Sequence, residues 1–148
     1  MKSEETKRNL ASVDPEFALL LTEALELGYA NGMNPQVASG YCSPEDQDKA
    51  HSIGRTESGK KCTYDRRWQS LSQYGLHVRI AFEEHPENNN RILWNLACRK
   101  GLDRKNLLWV GTQVGQFFAP CEWQMGQPDW RELCRQQGID PITLNRFV

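Results

Sequence analysis

Gly40-Tyr41-Cys42-Ser43-Pro44-Glu45-Asp46-Gln47, then Gly54-Arg55-Thr56, Gly59-Lys60-Lys61 and Gln69-Ser70-Leu71-Ser72-Gln73-Tyr74-Gly75-Leu76-His77-Val78-Arg79, is the stretch that decides the fold. Ser43-Pro44-Glu45 starts a helix, with a hydroxyl N-cap and proline at the first helical position, and the helix runs to about His51. Residues 52–70 are polar, basic and glycine-containing, and read as a long surface loop. Leu76, Val78, Ile80 and Phe82 then alternate with His77, Arg79 and Ala81, the period of a half-buried strand. Val37 to Tyr41 reads as a shorter strand before the helix.

Upstream, Asp14-Pro15-Glu16 starts a helix whose apolar face carries Phe17, Leu20, Leu21, Ala24 and Leu25, with Leu19 and Leu27 broadening it. Downstream, Asn89 to Lys100 reads as a helix with Ile92, Leu93, Leu96 and Ala97 inward and Gly101 as its stop. Leu107-Leu108-Trp109 and Phe117-Phe118 read as short strands. Pro128-Asp129-Trp130 opens a helix ending at Gly138, and Asp140-Pro141 starts a last short one. Helices around a small antiparallel sheet make an α+β layout. The expectation is a single domain over residues 1–148, with residues 127–148 as a C-terminal helical extension.

At 39% hydrophobic and 25% charged residues, the composition is that of a soluble globular protein. A net charge of −1 argues against nucleic acid as a partner. No apolar run approaches the roughly 20 residues of a membrane span. The charged start Met1-Lys2-Ser3-Glu4-Glu5 lacks a signal-peptide core, so the expected location is the cytoplasm as synthesised. Cys42, Cys62, Cys98, Cys121 and Cys134 contain no Cys-x-x-Cys pair and give neither a disulfide scaffold nor a zinc knuckle.

The quoted stretch resembles the zinc D-alanyl-D-alanine carboxypeptidases and phage L-alanyl-D-glutamate endolysins, whose run Ser-x-His-x-x-Gly-x-Ala-x-Asp binds zinc through His and Asp. The resemblance covers about Asn9 to Trp123. Its start, Asn9-Leu10-Ala11-Ser12-Val13-Asp14-Pro15-Glu16, is similar to prophage-encoded members. Trp109-Val110-Gly111 and Pro120-Cys121-Glu122-Trp123 resemble the family's Trp-Gly-Gly and Pro-His-Phe-Glu ending. It implies the D-Ala-D-Ala carboxypeptidase-like (hedgehog/DD-peptidase) fold and peptidoglycan peptides as the ancestral ligand.

The same resemblance implies a degenerate site. Ser72 stands for the His ligand, Arg79 for the Asp ligand, Cys121 for a second His ligand, Trp123 for the general-base Glu, and Cys42 for a substrate-holding Arg. If the ending is shifted by one, Glu122 takes the base position. Zinc hydrolysis needs about three ligands, an open position and a base, and losing a base alone costs about 10²–10⁴ in rate. No zinc or other cofactor is expected. The expected function is that of an inactive, peptidase-like phage or prophage protein that binds, assembles or regulates through the former cleft.

The alternative is an active cell-wall endopeptidase with a rewired site. Strand alternation turns His77 towards the cleft, where Cys42, His77 and Cys121 can hold a soft metal or a cysteine can pair with the imidazole. Against it stands the plainer reading of these cysteines as space-filling residues. Binding candidates are Gln47, which matches the family, His77, the basic-loop residues Arg55, Lys60 and Lys61, with Arg66 and Arg67 beside them, and Trp68 and Trp130, in polar contexts, as interface anchors. Expected partners are a phage structural or host protein, or a peptidoglycan peptide, and virion association is consistent with both.

Overall fold

The computed structural model describes residues 1–112 and 119–147. Among the described residues, five α-helices and four strands build it, with three short 3-10 turns between them. Helix α1 (Glu4–Ala11) is capped by the Ser3 hydroxyl, which accepts from Thr6 N. Helix α2 (Pro15–Ala30) is capped by Asp14, whose carboxylate accepts from Phe17 N. Strand β1 (Gln36–Ser39) leads into α3 (Pro44–Ser52), capped by Ser43. Strand β2 (His77–Ala81), helix α4 (Pro86–Arg99) and strands β3 (Leu107–Trp109) and β4 (Glu122–Met125) follow. Helix α5 (Trp130–Gln136), capped by Asp129, comes last.

The strands form one antiparallel sheet in the order β1-β2-β4-β3. Val37, Val78, Ile80, Leu107, Trp109 and Trp123 point to one face and are buried with Phe17, Leu21 and Leu25 of α2 and Leu93 and Ala97 of α4. Period two then fixes the opposite face: His77 and Arg79 on β2, Glu122 and Gln124 on β4. The core positions the site by exclusion, because every polar residue of these two strands is turned away from it.

Several expectations shift. Helix α1 was not foreseen, since Leu10 is its one large apolar residue. It acts through polar side chains that cover the β1 edge: Thr6 Oγ1 accepts from Val37 N at 3.0 Å, and Asn9 Nδ2 donates to Val37 O at 2.8 Å. Helix α4 starts a turn earlier than Asn89, and Ile92, expected inward, is exposed, as is Leu19 of α2. Strand β4 was not anticipated, because only Trp123 in Glu-Trp-Gln-Met is buried. The strand expected at Phe117-Phe118 lies outside the described residues. No helix follows Asp140-Pro141. Leu144 N there donates back to Asp140 O at 2.7 Å, and Ile139 bridges Arg146.

Candidate functional site

A cleft of ≈ 540 Å³ opens on the sheet face opposite the core. Its floor is the turn Leu71–Tyr74, fixed by a capping box in which Ser70 and Gln73 satisfy each other's ends. The turn closes at Gly75 with φ +69°, a left-handed residue at which a Cβ would stand 2.9 Å from Asp14 N. Beneath it, the buried Gln73 amide donates to Gln47 Oε1 at 3.3 Å, and Gln47 Nε2 donates to the Asp65 carbonyl at 2.8 Å. These two glutamines tie α3, the floor and the 52–70 loop together. His77, Glu122 and Gln124 form the sheet side, and Gln127, Pro128 and Trp130 form a wall supplied by the C-terminal segment.

Two carboxylates, Asp65 and Glu122, and the His77 imidazole line the cleft. His77 Nε2 lies 3.7 Å from Glu122 Oε1, too long for a hydrogen bond and close enough for strong coupling. His77 holds the Glu122 carboxyl below the ordinary glutamate range; burial pushes the other way, and Arg79 adds to the lowering. Asp65 is open to solvent at the rim but crowded by protein on its cleft side. That crowding pushes its carboxyl up, against the pull of His77. The imidazole therefore stands between acids whose affinities for a proton move apart.

Of the residues expected at the site, Ser72 and His77 line the cleft. Cys42 sits just behind it, its N–H donating to Ser72 O at 3.1 Å. Burial pushes the Cys42 thiol up, Asp46 adds to this and Gln73 opposes it, so the thiol stays protonated and is a poor nucleophile. Arg79 is exposed on the cleft face beyond the lining residues.

The C-terminal placement needs correcting. Cys121 does not line the cleft. Its carbonyl accepts from Ile80 N at 2.8 Å, which puts it opposite a core-facing residue. Trp123 is fully buried, opposite Val78, with Nε1 donating to Asn90 Oδ1 at 2.8 Å and its ring edge-on to Trp94. Trp123 thus turns to the core, and Cys121, half-buried in the turn before β4, does not line the cleft. The pair that faces the cleft is Glu122 and Gln124. Cys42, His77 and Cys121 are thus not gathered as a ligand set.

Among the binding candidates, Gln47 is buried at the cleft and spends its amide on internal bonds. Arg55 donates to the carbonyls of His51 and Thr63, and Arg67 pairs with Asp48 at 2.6 Å, so part of the basic loop holds itself together. Lys60 and Lys61 are exposed. Trp68 is half-buried with φ +64°, its ring tilted against Tyr74 at 5.9 Å and its carbonyl accepting from the Tyr74 hydroxyl. Trp130, expected as an interface anchor, lines the cleft, whereas Asp65 and Gln124 were not singled out from the sequence. Alternation reveals Gln124 once Trp123 is placed, and no local signal marks Asp65.

The geometry has known counterparts. Over 75 residues the chain is 31% identical to the peptidoglycan L-alanyl-D-glutamate endopeptidase CwlK of Bacillus subtilis (strain 168), a match spanning 50% of this chain and 43% of that protein. The chain has the D-Ala-D-Ala carboxypeptidase-like peptidase fold. The L-Ala D-Glu endopeptidase ChiX of Serratia marcescens superposes with a TM-score of 0.61 at 13% identity, over 90% of this chain and 93% of that one. The D,D-pentapeptidase VanY of a VanB-type resistance cassette, in complex with Zn(II), superposes at 0.56 with 18% identity, over 86% and 80%. The LD-carboxypeptidase LdcB gives 0.58 at 13%, over 92% and 71%. The matched part of CwlK is less than half its length. No family model matches the sequence.

Zinc, present in the VanY relative, does not suit the residues found here. The Ser72 hydroxyl is already bonded to Ser70 Oγ at 2.7 Å and approached by Gln73 Nε2 at 3.3 Å. Arg79 adds a fixed cation on the same face. Among the described residues no group of three or more His, Cys, Asp or Glu side chains is arranged to hold a metal ion. What remains is a polar cleft able to bind through amides, hydroxyls and two acids.

Proposed function

We propose that this chain is a peptidase-fold protein that binds in its cleft without hydrolysing. The reading rests on one observation: the two positions that resemble the family's first ligands hold a hydrogen-bonded hydroxyl, Ser72, and an exposed cation, Arg79. A zinc site loses its affinity when a neutral hydroxyl and a positive charge replace an imidazole and a carboxylate. The ligand is a component of the bacterial cell wall or a protein that carries one, in keeping with the likeness to CwlK. A role in the cytoplasm or in a phage particle, with a structural or host protein as partner, fits the same module.

The test is elemental analysis of protein purified without chelator, alongside digestion of purified muropeptides. Binding without hydrolysis predicts no stoichiometric zinc and intact muropeptides. Cleavage that disappears with chelator would restore the zinc peptidase. Cleavage that survives chelator and is lost in His77→Ala would point to a rewired acid–base site around His77, Asp65 and Glu122.

A further inference from the structure

The cleft has the wrong charge for the peptides its relatives act on. An L-alanyl-D-glutamate or D-alanyl-D-alanine unit carries carboxylates, and anions are held by Arg, Lys or a metal. Among the described residues lining the cleft there is no Lys or Arg, while Asp65 and Glu122 are both present. Residues 113–118 contain no Lys or Arg in the sequence either. The arginine expected at position 42 is a cysteine.

The rest of the lining has a consistent chemistry. Gln69 uses its Oε1 to accept from Arg66 N at 2.8 Å, and Gln124 uses its Nε2 to donate to the Gly126 carbonyl at 2.6 Å. Each amide is thereby held in place with its other end still available, one a donor and one an acceptor. Thr63 and Ser70 add hydroxyls. At one end, Trp130 and Pro128 form an apolar wall, and the Arg131 guanidinium lies over the indole at 4.8 Å from the ring centre. This wall is fixed from behind, since Cys134 of α5 is fully buried close to Tyr74, whose hydroxyl donates to the Trp68 carbonyl at 2.6 Å.

Pinned amides, hydroxyls and carboxylates beside one indole, with no Lys or Arg among the described lining residues and Arg131 engaged on the indole, suit a ligand that is uncharged, rich in hydroxyls and apolar on its ring faces. We propose that the cleft binds a neutral saccharide, stacked at Trp130 and hydrogen-bonded by Gln69, Gln124 and Asp65. The proposal rests on the binding reading above and replaces a peptide with a sugar as the ligand class. The carboxylates act as acceptors for sugar hydroxyls, and the preset amides reduce the cost of ordering the site.

Calorimetric titration of the full chain tests this with two probes: chitotetraose, an uncharged β-1,4 saccharide, and the anionic dipeptide L-Ala-D-Glu. Chitotetraose should bind with an affinity that is nearly constant between about 0.05 and 0.5 M salt, because no ion pair forms. Trp130→Ala should weaken it about tenfold or more, while Trp130→Phe, which keeps an aromatic face, stays within about threefold. Gln127→Ala, at an exposed position on the same wall, gives a second reading that does not endanger folding and should lower affinity about threefold. Absence of saccharide binding at millimolar concentration, tighter binding of the dipeptide, or unchanged affinity in folded Trp130→Ala and Gln127→Ala would each overturn the proposal. Hydrolysis of muropeptides would instead defeat the binding reading itself, so the two failures are told apart.

Discussion

Trp123 Nε1 donates to Asn90 Oδ1 at 2.8 Å within the core, and the same Asn90 amide donates to the carbonyls of Ile80 and Pro86 at 3.1 and 2.8 Å. One buried asparagine thus joins α4, β2 and β4, with both amide N–H groups and its carbonyl oxygen hydrogen-bonded. The bond also fixes the register of β4, because turning Trp123 to the cleft would strand both partners. Glu122 and Gln124 face the site as a consequence.

Replacing this pair tests the register. Trp123→Glu, which the linear motif would suggest as restoring a catalytic base, should destabilise the protein by at least about 4 kcal/mol, since it removes a buried indole and leaves an unpaired charge. Asn90→Ala should cost about 2–3 kcal/mol by leaving the indole N–H and two carbonyls without partners. Urea unfolding measures both. A Trp123→Glu protein of native stability would mean that the side chain lies in the cleft.

The two cleft acids should respond to pH in opposite senses. Glu122 is depressed by His77, so its contribution to stability is present above the unfolded glutamate value of about 4.3 and is lost as pH falls through the lower folded value. Glu122→Gln should therefore flatten the acid limb of the stability curve. Asp65 is raised by crowding, so its contribution is present below about 3.9 and is lost as pH rises through the higher folded value. Asp65→Asn should stabilise at neutral pH and be silent in acid. Carbon-detected NMR titration of the two carboxyls, repeated in His77→Asn, checks the coupling: Glu122 should move up when the imidazole is lost.

Gly75 tests the floor of the cleft. Its φ of +69° and the 2.9 Å approach to Asp14 N leave no room for a side chain, and its carbonyl accepts from Asp14 N at 2.9 Å. Gly75→Ala should cost about 1–3 kcal/mol from backbone strain alone. It should also loosen the start of α2, visible as faster amide exchange at Asp14 and Phe17.

Much of this architecture was legible in the sequence because the signals were local. Asp14-Pro15 and Ser43-Pro44 announced their helices through caps, and Leu76 to Phe82 announced β2 through alternation. The pairing of β2 with β4 was not legible, since strand register is set by burial across the sheet and only Trp123 of β4 is buried. The site inherited that gap. Ser72, in the turn before β2, and His77 line the cleft, while on the β4 side the motif alone gave Cys121 and Trp123 and the lining residues there are Glu122 and Gln124. Trp130 was unreadable as a cleft residue because its place depends on Cys134 and Tyr74, 60 residues apart in sequence, meeting behind it.

The register makes one sharp prediction about rebuilding a metal site. Ser72→His and Arg79→Asp restore an imidazole and a carboxylate and remove the opposing charge, but a third ligand must face them. Glu122 faces the cleft and Cys121 does not. The triple variant Ser72→His, Arg79→Asp, Glu122→His should therefore bind about one zinc per chain, as three protein ligands with an open fourth position require. The triple variant carrying Cys121→His instead should bind far more weakly, because residue 121 lies in the turn before β4 and does not line the cleft. Each single substitution should bind none, since a zinc site needs about three ligands and one new ligand does not complete the set. Elemental analysis with zinc-competition fluorescence reads all of these. Equal zinc in the two triple variants would mean that β4 can slip by one residue, and the Trp123–Asn90 bond would then not be what holds it.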